Sequence, residues 1–217
     1  MKLHGTSPEA AGYRAAAANA GLLAARAGAW WMTGNEGFIV DAGHDVCDVV
    51  SLAAKGKALE TESLNPAKHR HLRQRLRMGA AGLFLAGGLF GLYSGAHQLA
   101  SGEHEDAGAF ALATAGATAL ASIEIARRTH RGLDKHDSHD HPTARDLKLH
   151  VWGDGASSTV YALGLSAQAA SSLPQAGSIS LLASGGITTV LALKTINGIN
   201  NKHQAHFPPH ENKSEIQ

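Results

Sequence analysis

The sequence predicts an all-α protein, a bundle of six transmembrane helices with the N- and C-termini both in the cytoplasm. Two observations support this fold class. Long stretches of Ala, Gly, Leu, Ile and Val alternate with short polar segments, and Lys and Arg are confined to every second polar segment. A soluble helical protein has no reason to alternate its basic residues, whereas membrane proteins keep them on the cytoplasmic side.

Each apolar stretch is close to the roughly 17–25 residues that a helix needs to cross a bilayer. The predicted spans are Ala15–Met32, Gly37–Ala54, Met78–Ala100, Ala107–Ala126, Leu149–Ala170 and Gly177–Leu193. The connections 33–36, 101–106 and 171–176 contain no Lys or Arg. Apart from Arg26, every basic residue lies in the other two connections or near the termini, which predicts an even number of spans.

The composition limits the possible functions. The chain has 217 residues, a formal net charge of +1 and 5% aromatic residues, so nothing indicates a nucleic-acid partner. A single cysteine, Cys47, excludes an internal disulfide and a cysteine-based zinc site. We expect a multi-pass protein of the cell membrane (plasma or inner membrane), with a membrane domain over residues 1–198 and a disordered polar tail over 199–217.

The residues that carry chemistry lie inside two predicted spans, where ionisable groups are costly and are candidates for function. Span two contains His44 and Asp48, and span five contains His150 and Asp154. Residues four apart lie on one face of a helix, so each H-x-x-x-D pair points in one direction. Two such helices face to face offer two imidazole nitrogens and two carboxylate oxygens, a set that suits tetrahedral Zn²⁺.

The two pairs lie at depths where they can meet. At about 1.5 Å of rise per residue, Asp48 is roughly 16 Å from the outer surface and Asp154 roughly 10–17 Å from the inner one, within a core of about 30 Å. A midplane site between helices is what alternating access requires. One such motif occurs often by chance, and a lone membrane histidine is often only hydrogen-bonded to a neighbour. Two motifs at matching depths favour a metal site.

Other charged residues inside the spans have several candidate roles. Asp41 precedes His44 by three residues on the same face and is a candidate for orienting that imidazole from behind. Asp45 is turned about 100° away from His44. Arg26 either pairs with a carboxylate such as Asp41, extends to the membrane surface, or lines an aqueous cavity.

A histidine-rich cytoplasmic loop is predicted at about residues 128–147. It contains His130, His136, His139 and His141. Short histidine-rich tracts bind divalent metals weakly and raise their local concentration, so this loop is a candidate for collecting metal. The alternative is a solvated polar linker that binds no metal.

Span three carries Gly87, Gly91 and Gly95 at four-residue spacing, which lets a second helix approach closely. Small residues on span six make it the candidate partner: Ser180, Ser184, Gly185 and Gly186. The alternative is general close packing in a glycine-rich bundle.

Taken together, the motifs resemble those of the cation diffusion facilitator (CDF) family of zinc and divalent-metal transporters. The resemblance rests on Arg26, on Thr33-Gly34 followed by Asp41-Ala42-x-His44-x-x-x-Asp48, and on His150-x-x-Gly153-Asp154 followed by small residues. It covers about residues 10–198 and implies a six-span fold with metal held by His44, Asp48, His150 and Asp154. Family members commonly carry a cytoplasmic domain after span six. Because only a short tail follows here, we expect a short form.

The resemblance also implies a function: a secondary transporter, not an enzyme, that exports Zn²⁺ from the cytoplasm in exchange for protons. The implied partners are the divalent metal ion, protons, the lipid bilayer and a second copy of the chain in a homodimer. Co²⁺, Cd²⁺ and Fe²⁺ are alternatives to Zn²⁺, because sites of this kind discriminate imperfectly.

Two other functions compete with transport. A non-transporting, histidine-rich membrane protein would bind metal for storage or sensing, and metal retained in the cell would identify it. A metal-dependent hydrolase is suggested by His-Asp dipeptides at His44, His136 and His139, but one lies in an apolar span and the others in the predicted loop. No H-E-x-x-H motif is present, which excludes a zincin-type protease.

Overall fold

A computed structural model describes residues 7–34, 36–64, 70–102, 108–134, 142–170 and 173–204. Its helices are α1 (Pro8–Thr33), α2 (Glu36–Leu64), α3 (Arg70–Ser101), α4 (Ala109–Asp134), α5 (Pro142–Ala170) and α6 (Ala176–Gln204). The described residues contain no β-strand. The predicted all-α class and the number of helices are therefore confirmed.

The helices form a closed ring in which each packs against two neighbours. Around the ring the order is α1, α2, α3, α6, α5 and α4, and α4 returns to α1. Helices α2 and α5 also touch across the centre. Because these two helices carry the H-x-x-x-D pairs, the ring brings both pairs to the middle of the bundle.

The helix ends agree with the predicted spans only on the side of the bundle where the connections lack Lys and Arg. Where the connections lack Lys and Arg, the helices end within about two residues of the predicted positions, which is the ordinary uncertainty of a helix end. Helix α1 stops there because Gly34 adopts a left-handed conformation (φ 67°) and donates its N–H to the Trp30 carbonyl at 2.7 Å. This closing turn matches the usual glycine C-cap.

On the basic side every helix is longer than predicted. Helix α2 continues to Leu64 although its apolar stretch ends at Ala54, and the other helices are likewise extended by roughly two to three turns. Lys, Arg and Glu are good helix formers, so the helices persist where the apolar sequence stops. The extensions also bury apolar residues such as Leu59 and Leu133.

These extensions correct two predicted boundaries. His130 lies on α4, which continues to Asp134, and not in a loop that begins near residue 128. Ile199, where the disordered tail was expected to begin, is buried on α6, which continues to Gln204. Residues 136, 139, 141 and 205–217 lie outside the described part of the chain.

Close helix packing depends on glycine at the contact between α3 and α6. A Cβ on Gly185 would lie 2.5 Å from the Leu92 nitrogen and 2.8 Å from the Gly88 oxygen, and one on Gly91 would lie 3.2 Å from the Gly185 Cα. The predicted pairing of spans three and six is thus correct. Gly87, which was expected in this contact, faces His44 on α2 instead.

The bundle exposes large apolar side chains and buries several charged ones. Large apolar side chains on the spans are well exposed, for example Leu120 at 71% and Val190 at 64%. Within the described residues, the buried side chains include Arg26, Asp45, Asp48, Lys55, His150 and Asp154. This is the reverse of a soluble protein. Helices α3, α4 and α6 are each long and apolar enough to cross a membrane.

The largest apolar core lies near the basic ends of α1, α2, α4 and α5. It consists of Ala11, Ala15, Ala16, Leu52, Leu59, Ala126, Leu133, Ala144, Leu147 and Val151, called here the inner apolar cluster. Smaller clusters form around Tyr161 and Leu165 and around Phe38. The inner apolar cluster therefore lies between the centre of the bundle and its basic side.

Candidate metal centre

The four residues of the two H-x-x-x-D pairs meet at the centre of the bundle. His44 Nε2 lies 3.2 Å from Asp48 Oδ2 and 4.0 Å from Asp154 Oδ1. His150 Nε2 lies 3.1 Å from Asp48 Oδ1 and 3.5 Å from Asp154 Oδ2. Each imidazole thus contacts a carboxylate of its own helix and one of the facing helix.

Most of the ligand atoms in this group have close neighbours but no aligned hydrogen bond. Within the described residues, the buried side-chain atoms without a hydrogen-bond partner include His44 Nε2, Asp48 Oδ1, His150 Nε2 and both Asp154 carboxylate oxygens. Buried polar atoms are nearly always hydrogen-bonded, and each exception requires an explanation. A shared cation would supply the missing partner for all of them.

The arrangement has the size of a metal site. Ligand atoms of His44, Asp48 and Asp154 lie within 4.8 Å of one another, and His150 joins them through its contacts with both carboxylates. An adjoining cavity of about 20 Å³ has room for about one water-sized particle. Nitrogen and carboxylate oxygen donors in this number suit a divalent ion of the first transition series, Zn²⁺ among them.

Two residues of α3 shape the space around the imidazoles. The Phe84 ring stacks on His150, with centroids 3.9 Å apart and an interplanar angle of 28°. A Cβ on Gly87 would lie 2.6 Å from His44 Nδ1, so glycine leaves the room that this imidazole occupies. Neither role could be read from the sequence, because an apolar span offers many aromatic and glycine positions.

Arg26 is buried beside the centre and pairs mainly with Asp45. Its Nη1 lies 2.5 Å from Asp45 Oδ1, its Nη2 donates to Ser158 Oγ at 3.1 Å, and its Nε lies 3.5 Å from Asp41 Oδ2. Arg26 pairs with carboxylates, as one of the three alternatives predicted, and it also lines the small cavity at the centre. Asp45, which the sequence places off the His44 face, is the principal partner, and Asp41 also contacts Arg26. A role of Asp41 in orienting His44 stays a prediction.

Lys55 is a charged residue at this centre that the sequence analysis missed. It was assigned to the basic segment after span two, yet it is 1% exposed and its Nζ lies 2.6 Å from His150 Nδ1. Ser51 Oγ lies 3.4 Å from the same nitrogen. The signal was present in the spacing, since positions 44, 48, 51 and 55 recur on one face of a helix.

Of the predicted metal-collecting histidines, His130 lies in the described part of the chain, on α4 and outside the candidate centre. His130 on α4 is paired with Asp134, at 3.2 Å between Nε2 and Oδ2, and its Nδ1 lies 3.5 Å from Trp152 Nε1. Predicted residues His136, His139 and His141 lie outside the described residues. Metal binding by this segment stays a prediction.

Comparison with known proteins identifies the domain. No curated protein gives a significant match to the chain. A family model described as the cation efflux transmembrane domain matches residues 13–197, which include α2 to α5, most of α1 and α6, and the whole candidate centre. The chain therefore belongs to the cation efflux (CDF) family, and it is a multi-pass membrane protein that transports divalent metal cations.

Proposed function

We propose that the protein exports Zn²⁺ from the cytoplasm in exchange for protons, through a site formed by His44, Asp48, His150 and Asp154. The observation that supports this proposal best is the group of buried donor atoms without hydrogen-bond partners on α2 and α5. Two carboxylates and two neutral imidazoles neutralise one divalent cation, which lowers the free-energy cost of moving it through a low-dielectric bundle.

The same residues account for coupling to protons. Imidazole and carboxylate bind metal only when deprotonated, so metal binding releases protons and protonation weakens metal binding. An unperturbed histidine has a pKa near 6.5, so a modest pH difference across the membrane changes the fraction of the imidazole that is protonated. Lower pH on the side of release therefore favours release, and no separate proton pathway is needed.

The proposal includes an orientation. Because Lys and Arg accumulate at one end of the helices, we assign that end to the cytoplasm, together with both termini. The cell membrane, plasma or inner, is the proposed location. The inner apolar cluster then closes the cytoplasmic side of the centre, and metal from the cytoplasm can enter only after this cluster opens.

Flux measurements in proteoliposomes test the proposal directly. We expect Zn²⁺ uptake driven by an imposed pH gradient in the wild type, and flux at the level of empty liposomes for His150→Ala and Asp48→Ala. His97→Ala is the matched control, because His97 is an exposed histidine of α3 outside the site. Competition with Co²⁺, Cd²⁺ and Fe²⁺ establishes which ion is preferred.

Three outcomes contradict parts of the proposal. Unchanged flux in His150→Ala would contradict the proposed binding site. Flux that does not depend on the pH gradient would contradict the coupling to protons. Stoichiometric Zn²⁺ binding without flux in the wild type would indicate a storage or sensor protein.

A further inference from the structure

A cavity of about 500 Å³ lies between α1 and α4 at their basic ends, away from the candidate metal centre. Its lining comes from the first turns of α1 and the last turns of α4: Ala11, Arg14, Ala15, Ala18, Ile125, Arg128, Thr129, Arg131 and Gly132. Three of these residues are arginines, and none is acidic. The cavity thus combines a small-residue wall with concentrated positive charge.

The lining changes character along the helix axes. Arg14, Arg128 and Arg131 lie beyond the apolar stretches of their helices, at the level of the membrane surface, whereas Ala18 and Ile125 lie within them. Arg128 Nε donates to Glu124 Oε1 at 2.7 Å. In the described part of the chain no salt bridge involves Arg14 or Arg131. A ligand for this cavity therefore needs an anionic group at one end and an apolar body at the other.

We propose that this cavity binds an anionic phospholipid, with its phosphate between Arg14 and Arg131 and an acyl chain along Ala18 and Ile125. Guanidinium groups donate paired hydrogen bonds to phosphate oxygens. Basic pockets between transmembrane helices are suited to anionic headgroups. Free phosphate would use the arginines and leave the apolar half of the cavity empty, so the lipid is the better occupant.

The bound lipid would connect α1 to α4, where the helix ring closes. Ala11 and Ala15 belong both to the cavity lining and to the inner apolar cluster. Occupancy is therefore expected to favour the closed packing of this side. The proposal does not depend on the identity of the transported ion.

Lipid retention by the purified full chain tests the proposal. The protein is equilibrated in bilayers of equal amounts of phosphatidylcholine and phosphatidylglycerol, and the lipids that remain bound are counted by native mass spectrometry. We expect selective retention of phosphatidylglycerol by the wild type. In Arg14→Gln with Arg131→Gln, affinity should fall about fivefold for each arginine removed.

Two further variants make the result specific. Arg70→Gln with Arg75→Gln removes the same charge from exposed positions at the basic end of α3 and should retain the lipid. Ala18→Phe fills the apolar half of the cavity from an exposed position and should lose the lipid with all three arginines intact. The proposal would be overturned by equal loss of the lipid in the α3 control or by retention of the lipid in Ala18→Phe. It would also be overturned if inorganic phosphate displaced the lipid completely, or if the wild type showed no selectivity for phosphatidylglycerol.

Discussion

Lys55 determines which nitrogen of a neutral His150 ring carries the proton. An ammonium group can only donate, so at 2.6 Å it makes Nδ1 an acceptor and leaves the proton of a neutral ring on Nε2. A metal ligand needs Nε2 without its proton. Metal binding therefore requires Lys55 to move away and Nδ1–H to find another acceptor, for which Ser51 Oγ is available at 3.4 Å.

Replacing Lys55 should strengthen metal binding. In Lys55→Met the ring is free to donate Nδ1–H to Ser51, and a positive charge beside the site is removed. We expect roughly tenfold higher affinity for Zn²⁺, the scale of effect of groups that orient metal-bound imidazoles. Equilibrium titration with Zn²⁺ in detergent measures this, and Lys55→Arg, which keeps the donor and the charge, is the control. Weaker binding by the folded Met variant would contradict the argument.

The Arg26–Asp45 pair should be necessary for stability. Both side chains are buried, and removing one partner of a buried ion pair typically costs about 3–5 kcal/mol because the other charge is left uncompensated. Arg26→Gln, which leaves the buried Asp45 without its cation, should therefore lower the free energy of unfolding by that order. A matched Arg26→Gln, Asp45→Asn double variant should be less destabilised than the sum of the two single variants. Strict additivity, measured by unfolding in mixed detergent, would show that the pair is not coupled.

At the residue scale, the spacing of residues along each helix predicted which side chains meet at the centre. It did not predict contacts that depend on how neighbouring helices are rotated against each other. His44, Asp48, His150 and Asp154 come together as their i, i+4 spacing on two spans indicates, and their role as ligands remains a prediction. The choice of Asp45 over Asp41 by Arg26 depends on how α1 is rotated against α2. No local pattern in the sequence encodes that rotation.

At the scale of elements, the contact between α3 and α6 depends on one glycine more than on its neighbour. A Cβ on Gly185 would meet backbone atoms of α3 at 2.5–2.9 Å, whereas one on Gly186 would have no atom within 4 Å. Gly185→Ala should therefore separate the helices and lower the thermal unfolding temperature. Gly186→Ala should be neutral or slightly stabilising, because alanine is the better helix former. Equal melting temperatures for the two variants would refute this packing.

Ion pairs join the helices at their basic ends. Arg77 of α3 lies 2.6 Å from Asp146 of α5, and Lys148 of α5 lies 2.5 Å from Asp134 of α4. Between α1 and α2, Tyr13 donates a hydrogen bond to Glu60. Hydrogen bonds from Lys57 of the same helix and from Tyr13 hold the pKa of Glu60 below its ordinary value. Such contacts cannot be read from hydropathy, and for this reason the apolar stretches predicted the basic helix ends poorly and the opposite ends well.

For the whole molecule, the proposed orientation can be checked by labelling single cysteines. Cys47→Ser provides a background without cysteine. Gln175→Cys, between α5 and α6, should react with a membrane-impermeant maleimide in intact cells. Arg70→Cys, at the start of α3, should react only after the membrane is opened. Labelling in the reverse order would invert the orientation and, with it, the direction of export.

The lengthened helices also make the two halves of the bundle differ in their response to temperature. Between lipid chains, helices gain little from hiding apolar surface, because the surroundings are equally apolar. Part of the inner apolar cluster, including Leu59, Leu133 and Leu147, lies beyond the apolar stretches, where water is the competing environment. Separating those side chains exposes them to water and carries a positive heat capacity change. Cooling should therefore loosen the packing at this end and leave the lipid-embedded half nearly unaffected. The free-energy difference between the closed and open forms should then vary with temperature along a curve and not along a straight line.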